Sequence, residues 1–113
     1  MKDCIFCKII AGEIPSTVVY EDTWTYCIED IAPQAPVHVL VLSKQHYDNV
    51  LHAAVHPGVM DHMMHAAGEV ARIKGVRDDG FRLVINTGAN AGQSEEHLHV
   101  HVLGGKVLQI EMT

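Results

Sequence analysis

The chain has 113 residues, of which 48% are hydrophobic and 19% are charged, so its composition is that of one compact domain spanning residues 1–113 and not of a disordered chain. Its net charge of −6 argues against binding of nucleic acid, whose phosphate backbone requires a basic surface. No apolar run reaches the length of a membrane span and the first residues form no signal peptide, so we expect a cytoplasmic protein without a membrane partner.

The first predicted element is a short helical turn at residues 4–10, which contains Cys4 and Cys7. Two cysteines at this spacing are typical of half of a zinc site, although a redox pair or coincidence also fits the spacing. The histidines elsewhere in the chain favour zinc, because zinc in proteins commonly binds two thiolates and two imidazoles. The third cysteine, Cys27, lies in an apolar strand and is predicted to be a small buried side chain.

The middle of the chain predicts strands followed by helices. A hairpin is predicted at 17–28, followed by a largely apolar strand at 37–42. His38 is the polar exception in that strand, and another imidazole across the sheet is a plausible hydrogen-bond partner. Residues 43–50 are predicted as a turn followed by a short helix. Apolar residues at the helical period then predict one long amphipathic helix at 57–74, with its methionines in the core.

The last third of the chain contains its most informative pattern. A strand is predicted at 81–86, and a glycine-rich loop leads from it to a second strand in which His97, His99 and His101 alternate with aliphatic residues. A period of two is that of a strand, so three imidazoles would share one face, with about 6.8 Å along the strand between successive histidines. Strands with hairpin-length connections and one long helix predict an α+β fold with a mainly antiparallel sheet.

Clustered imidazoles could perform either of two chemistries. They could bind a catalytic metal that activates water, or one neutral imidazole could attack phosphorus while its neighbours stabilise the developing charge. The loop from Gly88 to Ser94 favours the second chemistry, because its N–H groups and hydroxyl could bind a phosphate. Crowding of like groups would also keep at least one imidazole neutral near pH 7.

Residues 97–103 match the His-φ-His-φ-His-φ-φ motif of the histidine-triad family, in which φ is an apolar residue. Further segments resemble its small nucleoside phosphoramidate hydrolases, namely residues 4–10, 12–16, 30–41, 86–88 and 91–94. This resemblance implies a five-stranded antiparallel sheet with one long and one or two short helices, and a homodimer whose sheets join. It also implies that the chain binds purine nucleoside monophosphates or phosphoramidates, and hydrolyses a P–N bond at the α-phosphorus through a nucleotidyl-histidine intermediate.

The resemblance assigns roles to individual residues. His99 would be the nucleophile, His101 would contact phosphate oxygens, and His38 would orient the triad by hydrogen bonding. Ser94 would contact the phosphate and assist the leaving amine, and Asp30 would bind the ribose hydroxyls. The residues implied to contact the nucleotide are Ile5, Phe6, Ile9, Ile28, Asp30, Ile31, Asn86, Gly92, Gln93, Ser94, His99 and His101.

Family members with the same cysteine pair often hold a structural zinc, and the matching ligands here are Cys4, Cys7, His46 and His97. That assignment would leave the other two histidines of the triad for chemistry, with no organic cofactor. Two other interpretations stay open. The chain could be a nucleotide-binding regulatory module with little catalysis, or a metal-dependent hydrolase in which the triad itself binds the metal.

Two features depart from the family pattern. Glu95 and Glu96 stand where the family often has an aliphatic and an aromatic residue. Carboxylates that point inward there would raise the pKa of nearby imidazoles. The tail at 106–113 also lacks the aromatic residue and prolines common in relatives, so the sequence leaves the preferred leaving group open.

Overall fold

The computed structural model of the chain describes residues 3–109. The expectations for Met1, Lys2 and the last four residues, including the end of the atypical tail, lie outside the described residues. In chain order the elements are α1 (Ile5–Ile10), β1 (Val18–Glu21), β2 (Thr25–Glu29), β3 (Val37–Ser43), α2 (Val50–Ala54), α3 (Val59–Ile73), β4 (Phe81–Val84), a 3-10 turn (Ala89–Ala91) and β5 (His99–Gly104). Among the described residues, no helix is both long and apolar enough to cross a membrane.

The strands form one antiparallel sheet in the order β1-β2-β3-β5-β4. All seven residues of β3 are buried, as the apolar sequence of this strand predicted for a central position. β5 pairs with β3 so that His99 lies opposite Leu42 and His101 lies opposite Leu40. The α+β class, the five-stranded antiparallel sheet and the one long and two short helices are therefore confirmed, whereas the homodimer stays a prediction.

The two faces of the sheet are covered by different helices. Val39, Val41, Val100 and Val102 point to one face, where they pack against α3 in the larger core cluster. Each of these side chains is fully buried and contributes about 1.5–3 kcal/mol of stability. On the opposite face, α1 packs against a smaller cluster that includes Leu40 and Leu42. The histidines of β3 and β5 lie on this second face, as the period of two in their sequence predicted.

The long helix begins at Val59, two residues after the predicted start at Pro57. Gly58 precedes it with a φ angle of 88°, a left-handed conformation that favours glycine. The prediction that the methionines fill the core is confirmed for Met63, which is fully buried. It is wrong for Met64, whose side chain is 37% exposed because it lies on the solvent side of the helix.

Three further predicted boundaries are wrong. The short helix lies at Val50–Ala54 and not before Val50, because the side chain of Asn49 accepts a hydrogen bond from the N–H of His52 and caps the helix there. The strand predicted at 81–86 ends at Val84. The triad strand begins at His99 and not at His97, because the N–H of Leu98 donates to the carbonyl oxygen of Tyr47 instead of extending the sheet.

Candidate active site

A cleft of about 250 Å³ opens between α1 and the histidine-bearing face of the sheet. Most of the residues implied to bind a nucleotide line it, namely Ile5, Phe6, Ile9, Ile28, Asp30, Ile31, Ser94, His99 and His101. Asn86, Gly92 and Gln93 are not part of its wall in the described structure. The topology therefore brings four of the predicted polar groups, a carboxylate, a hydroxyl and two imidazoles, to one apolar cleft.

His99 is the most buried polar side chain of the cleft wall, with only 6% of its surface exposed. Its Nδ1 atom lies 2.7 Å from the backbone oxygen of His97. Because a carbonyl oxygen can only accept, Nδ1 carries a proton, so in the neutral ring the lone pair is on Nε2. Phe6 packs edge-on against the ring at 5.1 Å between centroids and restricts its rotation. The neutral tautomer of His99 therefore has its lone pair on the nitrogen that is not hydrogen-bonded to the backbone.

His101 belongs to a hydrogen-bonded chain that continues to the β2–β3 connection. The N–H of Gln34 donates to His38 Nδ1 at 3.0 Å, so the proton of a neutral His38 is on Nε2. That Nε2 atom lies 2.9 Å from His101 Nδ1 and 3.3 Å from Asp30 Oδ2. His101 Nδ1 therefore accepts, which places the proton of His101 on its Nε2 atom. The two cleft imidazoles present opposite functions, an acceptor on His99 and a donor on His101.

The protonation of these rings follows from their burial. Burial lowers the pKa of His101 to about 4, and the charges that His99 and His38 would carry lower it further, whereas Asp30 opposes the shift. Burial likewise lowers the pKa of His97 to about 4. Both rings are therefore neutral at pH 7.

The cysteine pair lies beside this cleft, where it meets two imidazoles. Cys4 caps α1, and its Sγ atom lies 3.2 Å from His97 Nδ1. Cys7 Sγ lies 3.3 Å from His46 Nδ1 and 3.5 Å from His97 Nδ1. The four ligand atoms all lie within 4.8 Å of one another. The structure thus brings together all four residues that the sequence implied as zinc ligands.

The surroundings of the thiols test whether this set fits a metal. His97 Nε2 donates to the carbonyl oxygen of Ser43 at 2.7 Å, and His46 Nε2 lies 2.9 Å from Asp48 Oδ1. Both rings therefore turn an unprotonated Nδ1 toward the sulfur atoms, as metal-binding histidines do. The sulfur–nitrogen distances of 3.2, 3.3 and 3.5 Å are slightly shorter than the sulfur–nitrogen edge of about 3.6 Å expected for tetrahedral zinc. The donor set fits zinc.

The thiols themselves give a second indication. Burial raises the pKa of Cys7 to about 11, and the adjacent Cys4 raises it further. Two neighbouring thiolates at neutral pH therefore require a cation between them. The family resemblance implied the four ligands but not the groups that hold the two imidazoles, Ser43 and Asp48. Asp48 could have been found from its position two residues after His46.

The loop before β5 is held by Gln93. Its Oε1 atom accepts from the N–H of Gly88 at 2.9 Å, and its Nε2 atom donates to the carbonyl oxygens of Asp48 at 2.7 Å and Glu95 at 3.0 Å. This side chain therefore fixes the loop that presents Ser94 to the cleft. Direct contact of Gln93 with a phosphate stays a prediction.

The chain is similar in sequence to several known proteins. Residues 11–108 match the family model described as the HIT domain. Protein HitA of Neisseria gonorrhoeae is 46% identical over 108 residues, which cover 95% of this chain and 100% of that protein. The purine nucleoside phosphoramidase of Escherichia coli K12 is 39% identical, with 95% of this chain and 91% of that protein covered.

Two further relatives are informative about the fold and about the thiol cluster, which is the set of Cys4, Cys7, His46 and His97. The 14 kDa zinc-binding protein of Brassica juncea is 44% identical over 107 residues, which cover 92% of this chain and 94% of that protein. A histidine triad protein from Clostridium difficile has a solved structure that superimposes with a TM-score of 0.93 at 42% identity, covering 97% of this chain and 96% of that one.

Proposed function

Because the chain belongs to the HIT domain family, we propose that it hydrolyses purine nucleoside 5′-phosphoramidates at the α-phosphorus. The observation that carries this proposal is the His99 ring in the cleft wall, whose Nδ1 atom is hydrogen-bonded to the His97 carbonyl oxygen. In the neutral ring this leaves Nε2 to act as the nucleophile. The name of the E. coli relative, a purine nucleoside phosphoramidase at 39% identity, supports the P–N bond and the purine.

The reaction would proceed in two displacements. His99 Nε2 attacks the α-phosphorus, the P–N bond breaks, and the amine leaves with a proton that the hydroxyl of Ser94, which lines the cleft, relays from solvent. The nucleotidyl-imidazole that forms carries a positive charge, which the hydrogen bond from Nδ1 to the His97 carbonyl oxygen stabilises. Water then attacks the same phosphorus, which releases the nucleoside monophosphate, restores the neutral ring and returns a proton to solvent.

The neighbouring residues would bind and position the substrate. His101 donates from Nε2 to a phosphate oxygen, because its Nδ1 atom already accepts from His38. Asp30 accepts from the ribose hydroxyls at the adjacent end of the cleft. The base would lie against the apolar wall formed by Ile5, Phe6, Ile9, Ile28 and Ile31. Ile31 is 99% exposed, so a bound base would cover apolar surface that is otherwise in water.

We also propose that Cys4, Cys7, His46 and His97 hold a structural zinc ion. The support comes from the two Nδ1 atoms turned toward the thiols and from the zinc-binding relative at 44% identity. Four protein ligands would leave no open coordination position, so this metal would stabilise α1 against the sheet without taking part in the reaction.

The homodimer implied by the family resemblance remains part of the proposal. The edge strand β4 supports it, because Phe81 and Leu83 expose 36% and 37% of their surfaces at an unpaired sheet edge of the described chain. Sedimentation at micromolar concentration should give twice the mass of one chain. A monomer would remove this part of the proposal without affecting the chemistry at His99.

The alternative in which the triad binds a catalytic metal has less support. The three rings direct their Nδ1 atoms to different partners: His97 to the thiols, His99 to a carbonyl oxygen and His101 to His38. A second set of possible ligand atoms, on Asp30, His38 and His101, is already joined by hydrogen bonds.

The test is release of ammonia from adenosine 5′-phosphoramidate by the purified protein and by the His99→Ala variant. We expect the variant to lose at least about 1,000-fold in turnover while it still binds adenosine monophosphate by calorimetry. His62→Ala is the matched control, because this ring stacks on Trp24 away from the cleft. Undiminished turnover in the His99 variant would refute the nucleophile.

Two other results would favour the competing functions. Nucleotide binding by the unmodified protein without turnover of any phosphoramidate would indicate a regulatory binding module. Turnover that disappears on chelation while circular dichroism stays unchanged would indicate a metal-dependent hydrolase.

A further inference from the structure

We propose that Glu95 makes the cleft selective for phosphoramidates whose leaving amine carries a positive charge. This inference rests on the proposed function, because it concerns the group that His99 would displace.

The position of Glu95 relative to His99 comes from the two hollows that it lines. It forms part of the cleft wall together with Ser94, His99 and His101. It also lines a second hollow of about 300 Å³, which it shares with residues of the thiol cluster. Glu95 therefore lies on the His97 side of His99.

The opposite end of the cleft belongs to the ribose. Asp30 is joined through His38 to His101, two residues beyond His99 along β5. With the ribose at Asp30 and the α-phosphorus at His99, the remaining substituent of the phosphorus extends toward Ser94 and Glu95. The leaving amine would therefore meet the Glu95 carboxylate.

The end of the cleft near Glu95 has negative charge without a matching positive charge among the described residues. No lysine or arginine lines the cleft in the part of the chain that the structure describes. Two wall carboxylates are already engaged, Glu29 by Lys74 and Asp30 by His38. Across residues 3–109 the carboxylate of Glu95 makes no hydrogen bond or ion pair, while its backbone oxygen is fixed by Gln93. This half-buried charge is available to a ligand.

The second hollow, which Glu95 also lines, adds to the negative electrostatic potential near Glu95. Its wall also contains the acidic residues Asp3, Asp48 and Glu96, of which Asp48 is engaged by His46. An ammonium group next to the scissile bond would be attracted on this side, and a carboxylate there would be repelled. The inference therefore names a class of substrate: nucleoside phosphoramidates of diamines or of other basic amines.

The experiment uses three adenosine 5′-phosphoramidates of equal chain length, made from butylamine, 1,4-diaminobutane and 4-aminobutanoate. These leaving groups end in a neutral, a positive and a negative group. We expect kcat/KM to fall from the diamine to butylamine to the amino acid, by about two- to fivefold at each step for a half-exposed contact at low salt. In 0.5 M NaCl the differences should shrink.

Variants assign the effect to one carboxylate. Glu95→Gln should bring the three rates together, because the neutral amide no longer distinguishes the charges of the leaving groups. Glu96→Gln removes the same charge one residue further on, outside the cleft wall, and should preserve most of the preference.

The possible failures can be told apart. Equal rates for the three compounds, or an unchanged preference in Glu95→Gln, would overturn this inference and leave the proposed function intact. Loss of the preference in both variants would overturn the role of Glu95 in favour of the general surface potential. No turnover of the butylamine compound would count against the proposed function itself.

Discussion

The Nε2 atom of His38 lies 2.9 Å from the Nδ1 atom of His101, and this contact determines which nitrogen of His101 carries its proton. The N–H of Gln34, which donates to the other nitrogen of His38, fixes the direction of the whole chain. A backbone amide outside the cleft thus controls whether His101 donates to or accepts from a bound phosphate.

The first prediction concerns His38 as a positioning residue. His38→Leu removes the donor, so His101 can place its proton on Nδ1 and lose its donor at the cleft. We expect kcat for adenosine 5′-phosphoramidate to fall by about 10- to 100-fold, with a smaller change in KM. His38→Gln can still offer an N–H to His101 and should recover part of the rate. Equal losses in the two variants would show that the ring fills space and does not orient the proton.

The second prediction is a pH dependence of stability from His101. Burial holds its folded pKa near 4, below the ordinary value of 6.5, so the unfolded chain takes up a proton first as pH falls. The contribution of the neutral His101 ring to the free energy of unfolding is complete above pH 6.5 and is lost between pH 6.5 and 4. The free energy of unfolding should therefore decrease as the pH falls through this range. In urea titrations, His101→Gln should make that decrease smaller by about 1–2 kcal/mol, a value reduced for partial solvent access. The same decrease in the variant would contradict the burial of a neutral ring.

The third prediction tests the thiol cluster. Protein purified without added metal should contain about one zinc per chain by atomic emission, and Cys7→Ser should lose it. Loss of a tightly bound ion should lower the free energy of unfolding by about 2–4 kcal/mol. Cys27→Ala is the matched thiol control, because Cys27 is buried on the other face of the sheet and should leave the zinc content unchanged. Zinc-free protein with freely titratable Cys4 and Cys7 would reject the assignment.

The fourth prediction concerns the loop that presents Ser94. Gln93→Ala removes three hydrogen bonds to backbone groups, so the free energy of unfolding should fall by about 1–2 kcal/mol and amide exchange should rise in residues 88–95. Asn90→Ala lies in the same loop, where its exposed side chain makes no hydrogen bond with any described residue, and should change neither measurement. Similar effects of the two substitutions would mean that the loop tolerates the loss of Gln93.

Sequence periodicity predicted the parts of the structure that depend on local alternation. The alternation of histidines and aliphatic residues correctly placed Val100 and Val102 in the core and His99 and His101 on the other face. The expected imidazole partner of His38 is also confirmed, because a buried polar ring in a central strand needs one.

What the sequence could not predict depends on contacts between distant segments. The start of β5 is set by the hydrogen bond from the N–H of Leu98 to the carbonyl oxygen of Tyr47. The role of Gln93 was not foreseen either, since its partners include the carbonyl oxygen of Asp48 on a separate loop. The hydrogen-bond partners of Leu98 and Gln93 are unknown until the chain has folded.

His97 contributes to two neighbouring sites through different parts of one residue. Its imidazole faces the thiols, whereas its carbonyl oxygen orients His99. Every amino acid has a carbonyl group, so a lineage can replace the ring at position 97 and dismantle the thiol cluster without deleting the acceptor that His99 requires. A displacement of the main chain at position 97 would disturb both sites at once, because it would move the ring and the carbonyl oxygen together.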